Sequence, residues 1–214
     1  MELTTGDVLY EAGERIRDAY FPAQSVVSLV AKAGADASLE VALVSDEGMI
    51  GVPLLYGVDR KPLQVLVQSS GPAWRVKEAI FKRMTDTQQA LREALNQYAL
   101  SRLAQVAQNA ICANTHRIEA RLARRLLTMQ DRSHADQFPA THASLANILG
   151  ERRSILTLVT LMFAQKDLID YHAGTMTVLD RKGLETLSCE CYSAAPDRHS
   201  QSTGYRPARQ PLSP

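Results

Sequence analysis

The chain has 214 residues, 45% hydrophobic and 22% charged, with a formal net charge of +1, which allows one large or two small folded units and excludes general disorder. Charge is uneven: residues 1–60 hold 4 Lys/Arg and 10 Asp/Glu while residues 61–214 hold 20 and 13, which hints at a polyanion partner for the second part. There is no apolar run of about 18 residues to span a membrane, the acidic start MELTTGDVLYEAGE is no secretory signal, and three cysteines (Cys112, Cys189, Cys191) make no disulfide framework; a cytoplasmic location is expected.

Residues 6–77 read as short strands. GDVLY, AYFPAQSVVSLVAKA, LEVALVSDEGMIG, LQVLVQSSG and AWRV are rich in Val, Leu, Tyr and Trp, and Gly, Pro, Asp or Ser bounds each of them. Their spacing fits an antiparallel barrel or jelly roll over residues 1–84, with no helix of useful length before about residue 78. From about Thr85 to Ala113 there is no Gly or Pro and helix formers dominate, predicting one long helix. Leu91, Leu95, Tyr98, Leu103, Val106 and Ala110 form its apolar stripe. Such a helix packs along its own barrel or forms a coiled-coil-like seam with a twin chain. The dimer is preferred, because so long a helix needs more partner surface than one small barrel offers.

The segment 115–132 predicts a second helix, with Ile118, Leu122, Leu126 and Met129 on its apolar face. Arg117, Arg121, Arg124, Arg125 and Arg132 are expected largely elsewhere, on a charged surface, with some near DNA phosphates. A polar link ends at Pro139, two short helices follow at 141–149 and about 152–165, and LIDYHAGTMTVLD (168–180) reads as two strands around a turn at Ala173–Gly174. RKGLETLSCECY predicts a last short helix, and the Pro-, Ser- and Arg-rich residues 193–214 are expected to be disordered.

The stretch THASLANILGERRSILTLVTLMF carries the functional signal. Ala146 lies four residues before Gly150, and Leu156 and Val159 lie six and nine after it. A small residue lets two helices cross closely, and a glycine takes the left-handed conformation that ends the first. This is the helix-turn-helix pattern, whose second helix enters a DNA major groove N-terminus first. It also accounts for Arg152 and Arg153 at the start of an apolar helix. The dipole opposes them by about 0.3–1 kcal/mol, whereas a bidentate arginine–guanine pair is worth about 1–3 kcal/mol of discrimination. Ser154 and Thr157 share the exposed face, Thr141 is the N-cap of the first helix, and His142 lies near DNA. The hairpin at 168–180 supplies a wing. An ordinary helical hairpin with a solvated arginine pair is the alternative.

The sequence resembles the Crp/Fnr-type transcription regulators over about residues 3–192, through GDVLYEAGE, FPAQSVVSLV, EGMIG, LDRKGLETLSCECY and, most specifically, FPATHASLANILGERRS. The resemblance implies an α+β fold: an N-terminal antiparallel β jelly-roll sensor of cyclic-nucleotide-binding type (1–84), a long dimerisation helix (85–113) and a C-terminal winged helix-turn-helix (114–192). It further implies a homodimer on a palindromic operator of double-stranded DNA, with half-sites about one helical turn apart, and RNA polymerase as a partner. Arg152, Arg153, Ser154 and Thr157 match the start of the recognition helix, while Leu158 stands where some relatives carry a second base-reading arginine.

Departures from the family pattern are informative. Cyclic-nucleotide binders carry Gly-Glu and then Arg-Ser/Thr-Ala; here Val52–Pro53 follows Gly51, and Arg60 is followed by Lys61 and Pro62. Arg60 and Lys61 are therefore read as solvated loop cations and no tight cAMP binding is expected, so the effector is another small molecule or none. No cysteine precedes Cys112, unlike the iron–sulfur sensors of the family. Relatives often begin with a short helix, whereas this chain starts almost at a strand, so either its start lies late or the domain is trimmed. Cys189 and Cys191 alone cannot complete a tetrahedral metal site, and no cofactor or metal is expected. An enzyme is not expected either, since the His/Glu metal cluster of cupin-like chemistry is missing. The competing reading is a scaffold whose helix-turn-helix binds protein.

Overall fold

A computed structural model describes residues 1–34, 37–60 and 63–193. Lys61 and the tail after Ser193, expected to be disordered, lie outside the described residues.

The first part of the chain forms two antiparallel sheets. β1 (Glu2–Leu3), β7 (Gly71–Lys77) and β3 (Asp18–Pro22) make one, in the order β1-β7-β3. β2 (Val8–Tyr10), β6 (Gln64–Ser69), β4 (Val26–Ala33) and β5 (Ala37–Val44) make the other. Their shared core is aliphatic, with Leu3, Ile16, Val27, Val44, Ile50, Val65 and Val67 all buried. The β4–β5 pairing runs Leu29↔Ala42 and then Val30↔Glu40, so Val41 is one extra residue, a bulge. Its carbonyl accepts a hydrogen bond from Asn109 Nδ2 at 2.9 Å. Before residue 78 the described helical structure is a 3-10 turn at Val52–Tyr56.

The predicted long helix is interrupted. α1 (Glu78–Thr87) and α2 (Gln89–Thr115) meet at Gln88, whose backbone is extended at φ −117° and ψ 94°. The break lets Phe81 on α1 and both Leu91 and Leu95 on α2 reach the barrel core. Arg92 secures it, donating to the Thr85 carbonyl at 2.8 Å and pairing with Asp86 at 2.6 Å.

The expected stripe on α2 divides between two faces. Leu91, Leu95 and Tyr98 pack on the chain's own barrel, a correction to their assignment to a dimer seam. Tyr98 lies over Gly48, where any Cβ would collide with its ring, and its hydroxyl donates to the Met49 carbonyl at 3.1 Å. Leu103 and Ala110 are exposed and Val106 is half-buried.

The second part packs α3 (Ile118–Ser133), α4 (His142–Leu149), α5 (Arg153–Gln165) and α6 (Arg181–Leu187) with a three-stranded sheet. That sheet is β8 (Gln137–Pro139), β10 (Thr175–Val178) and β9 (Ile169–His172), in the order β8-β10-β9. β8 replaces the end of the expected polar link, because the Gln137 to Pro139 backbone pairs with β10. Leu122, Leu126, Phe138, Leu145, Leu156, Phe163, Met176 and Leu184 fill the core.

α3 is not the charged surface helix expected. Arg125 and Arg132 are buried at its contact with the barrel. Arg125 Nε lies 3.2 Å from Glu40 Oε1, and Arg132 and Arg102 lie 3.4 and 3.6 Å from Glu47 Oε1. Arg102 and Arg132 also donate to the Leu43 carbonyl. Burial works against the charge on Arg125, and Glu40 offsets it.

Candidate nucleic-acid interface

The first helix of the unit is held at both ends by local chemistry. Thr141 is its N-cap: Thr141 Oγ1 accepts from the Ser144 N–H, and Ser144 Oγ accepts from the Thr141 N–H, both at 3.0 Å. This reciprocal box satisfies donors that the first turn cannot pair internally. At the other end Gly150 is left-handed (φ 62°, ψ 41°), and its N–H and that of Glu151 both donate to the Ala146 carbonyl. Ala146, Leu149, Leu156 and Val159 are buried where α4 crosses α5.

α5 begins with its cations displayed. Arg152 is the N-cap residue and Arg153 the first helical residue, and both are exposed with Ser154. The Arg152 side chain does not cap the helix; instead Glu151 Oε1 accepts the Arg152 N–H at 2.9 Å. That carboxylate puts a negative charge at the positive end of the helix dipole, opposing the cost of the two arginines. Glu151 was missed in the sequence, since it precedes the N-cap and lies outside the first turn where acidic residues mark a helix start.

The remaining predicted residues separate into two roles. Thr157 is half-buried and donates to the Arg153 carbonyl at 3.0 Å, with His142 Nδ1 3.3 Å away. The His142 ring stacks on Tyr171 at a centroid distance of 4.3 Å. Burial, then the Arg153 charge, lowers its pKa, so it packs as a neutral ring. Thr141 is exposed but committed to its capping box. Leu158 and Leu161 are 67% and 53% exposed on the outward side of α5. Beyond it, β9 and β10 turn through Ala173 (φ 49°) and Gly174 (φ 82°). Two successive positive φ values make the tight turn matched to strand twist, so the wing projects as a regular hairpin.

The turn between α4 and α5 touches the barrel. Ser38 Oγ donates to the Asn147 carbonyl at 3.0 Å, and a Cβ on Gly150 would lie 3.4 Å from Leu39 Cδ1. In the barrel, Val52 and Pro53 lie in the 3-10 turn, and exposed Arg60 donates to the Gly13 carbonyl at 3.2 Å. Elsewhere Cys112 joins Cys189 and Cys191 in one buried group. Among the described residues, no helix is long and apolar enough to cross a membrane.

Residues 120–187 match the Crp-like helix-turn-helix domain family. The chain is similar in structure to TTHA1359, a CRP/FNR-family transcriptional regulator from Thermus thermophilus, at 25% identity and a TM-score of 0.71, covering 88% of this chain and 97% of that one. TTHB099, a CRP-family regulator from the same organism, gives 18% identity and a TM-score of 0.74 over 88% and 96%. FixK2 from Bradyrhizobium japonicum gives 13% and 0.73 over 88% and 96%; at these identities the two show the fold alone. No curated protein sequence matches the chain.

Proposed function

We propose that the chain is a transcriptional regulator of the Crp/Fnr type that binds a palindromic operator in double-stranded DNA as a homodimer, with α5 in the major groove. The observation that carries the reading is the display of Arg152, Arg153 and Ser154 on the first turn of α5. There Arg153 reads a guanine edge, while Arg152, Ser154 and Thr157 hold phosphates or flanking bases. His142 contributes by fixing Tyr171 and Thr157, and Thr141 by setting the start of α4. The wing turn lies against the adjacent backbone.

The dimer seam is the outward face of α2. Leu100, Leu103 and Ile111 are 67%, 66% and 56% exposed, and exposed Ala104, Ala107 and Ala110 lie between them. Positions 100, 103, 107 and 110 follow the alternating three- and four-residue steps of a coiled-coil seam, with alanines that allow close approach. Residues 1–84 form the sensor unit, 85–113 the dimerisation helix and 114–192 the DNA-binding unit. The sensor does not bind cAMP: Val52–Pro53 occupies the place of the family's carboxylate, and Arg60 is engaged with Gly13. Its effector is another small molecule or none, RNA polymerase is the downstream partner, and the protein acts in the cytoplasm without enzymatic activity.

One binding experiment tests this. Selection from random duplexes returns a palindrome, and affinity for it falls steeply and linearly on a log–log scale with added salt. Repeating the titration with cAMP leaves affinity unchanged. Failure to recover any palindrome, or salt-insensitive binding, overturns the operator reading in favour of a protein-binding scaffold.

A further inference from the structure

We propose that Cys112, Cys189 and Cys191 form a binding site for one thiophilic d10 cation, Zn(II) or Cu(I), which pins the end of the long helix to the segment after α6. The fold brings together what the sequence separates. Cys112 stands in the last turn of α2, whereas Cys189 and Cys191 follow α6. All three are buried free thiols, their sulfurs lie within 4.8 Å of one another, and the Cys112 and Cys189 sulfurs are 3.6 Å apart.

Zinc–sulfur bonds of about 2.3 Å at a tetrahedral centre hold sulfurs about 3.8 Å apart. The group therefore needs only small side-chain adjustments to close on an ion. Buried cysteines also serve as small apolar residues, but packing alone does not require three sulfurs to converge on one point. A polar neighbour is aimed there as well. Gln108, one helical turn before Cys112, places its amide nitrogen 2.9 Å from Cys191 Sγ.

Amide nitrogen and oxygen exchange places on a half-turn of the side-chain end. Gln108 can thus present its oxygen as a fourth ligand for Zn(II), which prefers four, while three soft thiolates satisfy Cu(I). Arg121 and Arg124 line the cleft that Cys112 borders.

Each ligating thiol releases its proton to solvent, and no electron transfer is involved. α2 ends at Thr115, α3 begins at Ile118, and α6 packs on α3. A bound ion therefore fixes the joint between the barrel's long helix and the helix-turn-helix unit. The binding step does not rest on the operator reading.

The test uses the full chain, reduced and metal-free, titrated with Zn(II) and separately with Cu(I) without oxygen. One equivalent per chain is expected, with a rise in Tm that a chelator reverses. Cys112→Ser and Cys189→Ser should each weaken binding by at least about 100-fold, beyond the range of outer-sphere changes. Gln108→Ala separates the ions: loss of Zn(II) affinity alone marks a four-coordinate zinc site, and unchanged affinity for both marks a three-sulfur site suited to Cu(I). The wild-type Tm readout stands even where a serine variant folds poorly. Binding of less than one equivalent, no Tm response, or wild-type affinity in both serine variants overturns the proposal. So does a Cys112–Cys189 disulfide formed in air as the only chemistry of the three thiols.

Discussion

Two arginine pairs sit on helices of the same unit and meet opposite environments. Arg152 and Arg153 lie in solvent at the start of α5, while Arg125 and Arg132 are sealed against Glu40 and Glu47 of the barrel. The exposed pair faces water, with Glu151 bonded to the Arg152 backbone N–H, which leaves both guanidinium groups available to an outside polyanion. The buried pair is spent on holding two units together. Formal charge alone therefore says little about where a polyanion would bind; the partner of each cation decides.

The largest effect should come from breaking the buried pair. Glu40→Ala leaves Arg125 without its counter-charge, and removing one partner of a buried pair costs about 3–5 kcal/mol. Chemical denaturation should show that loss, while the double variant Glu40→Leu with Arg125→Met should recover most of it. A single variant as stable as the wild type would mean the seam is open in solution. Arg153→Ala should leave stability unchanged and weaken operator binding by about 1–3 kcal/mol, with affinity for scrambled DNA nearly unaffected. An equal loss on both duplexes would reduce Arg153 to a phosphate contact. Thr141→Ala, which removes the α4 cap, should lower thermal stability by about 1 kcal/mol. A much larger loss would show that α4 and the barrel unfold together.

How legible these regions were in the sequence follows from the range of the forces involved. The helix-turn-helix rests on local rules, a cap at Thr141, a small residue at Ala146 and a left-handed Gly150, all readable within ten residues. The two strands of the wing and their turn at Ala173–Gly174 are equally local. β8 was missed because three residues ending in proline carry no alternation, and only pairing with β10 makes them a strand. The buried arginines were misread because their partners lie in β5 and the turn after it. A local signal did exist: Arg125 follows Leu122 by three and precedes Met129 by four, so it shares the apolar face. The α2 stripe failed for a related reason. Apolar spacing locates buried faces without saying which body buries them, and here the first half of the stripe serves the barrel. The cysteine group needed the fold outright, since nothing in SCECY points to Cys112.

The bulge at Val41 sets the phase of the whole arrangement. A strand alternates its side chains with a period of two, and a bulge absorbs one unpaired extra residue so that the pairs on either side stay in step. The ladder takes up Val41 and resumes at Val30↔Glu40 and Lys32↔Ser38, which leaves Glu40 beside Arg125 and Ser38 beside Asn147. A single backbone irregularity thus acts as the clutch plate between the two halves of the molecule, and its spare carbonyl is already gripped by Asn109 on the long helix.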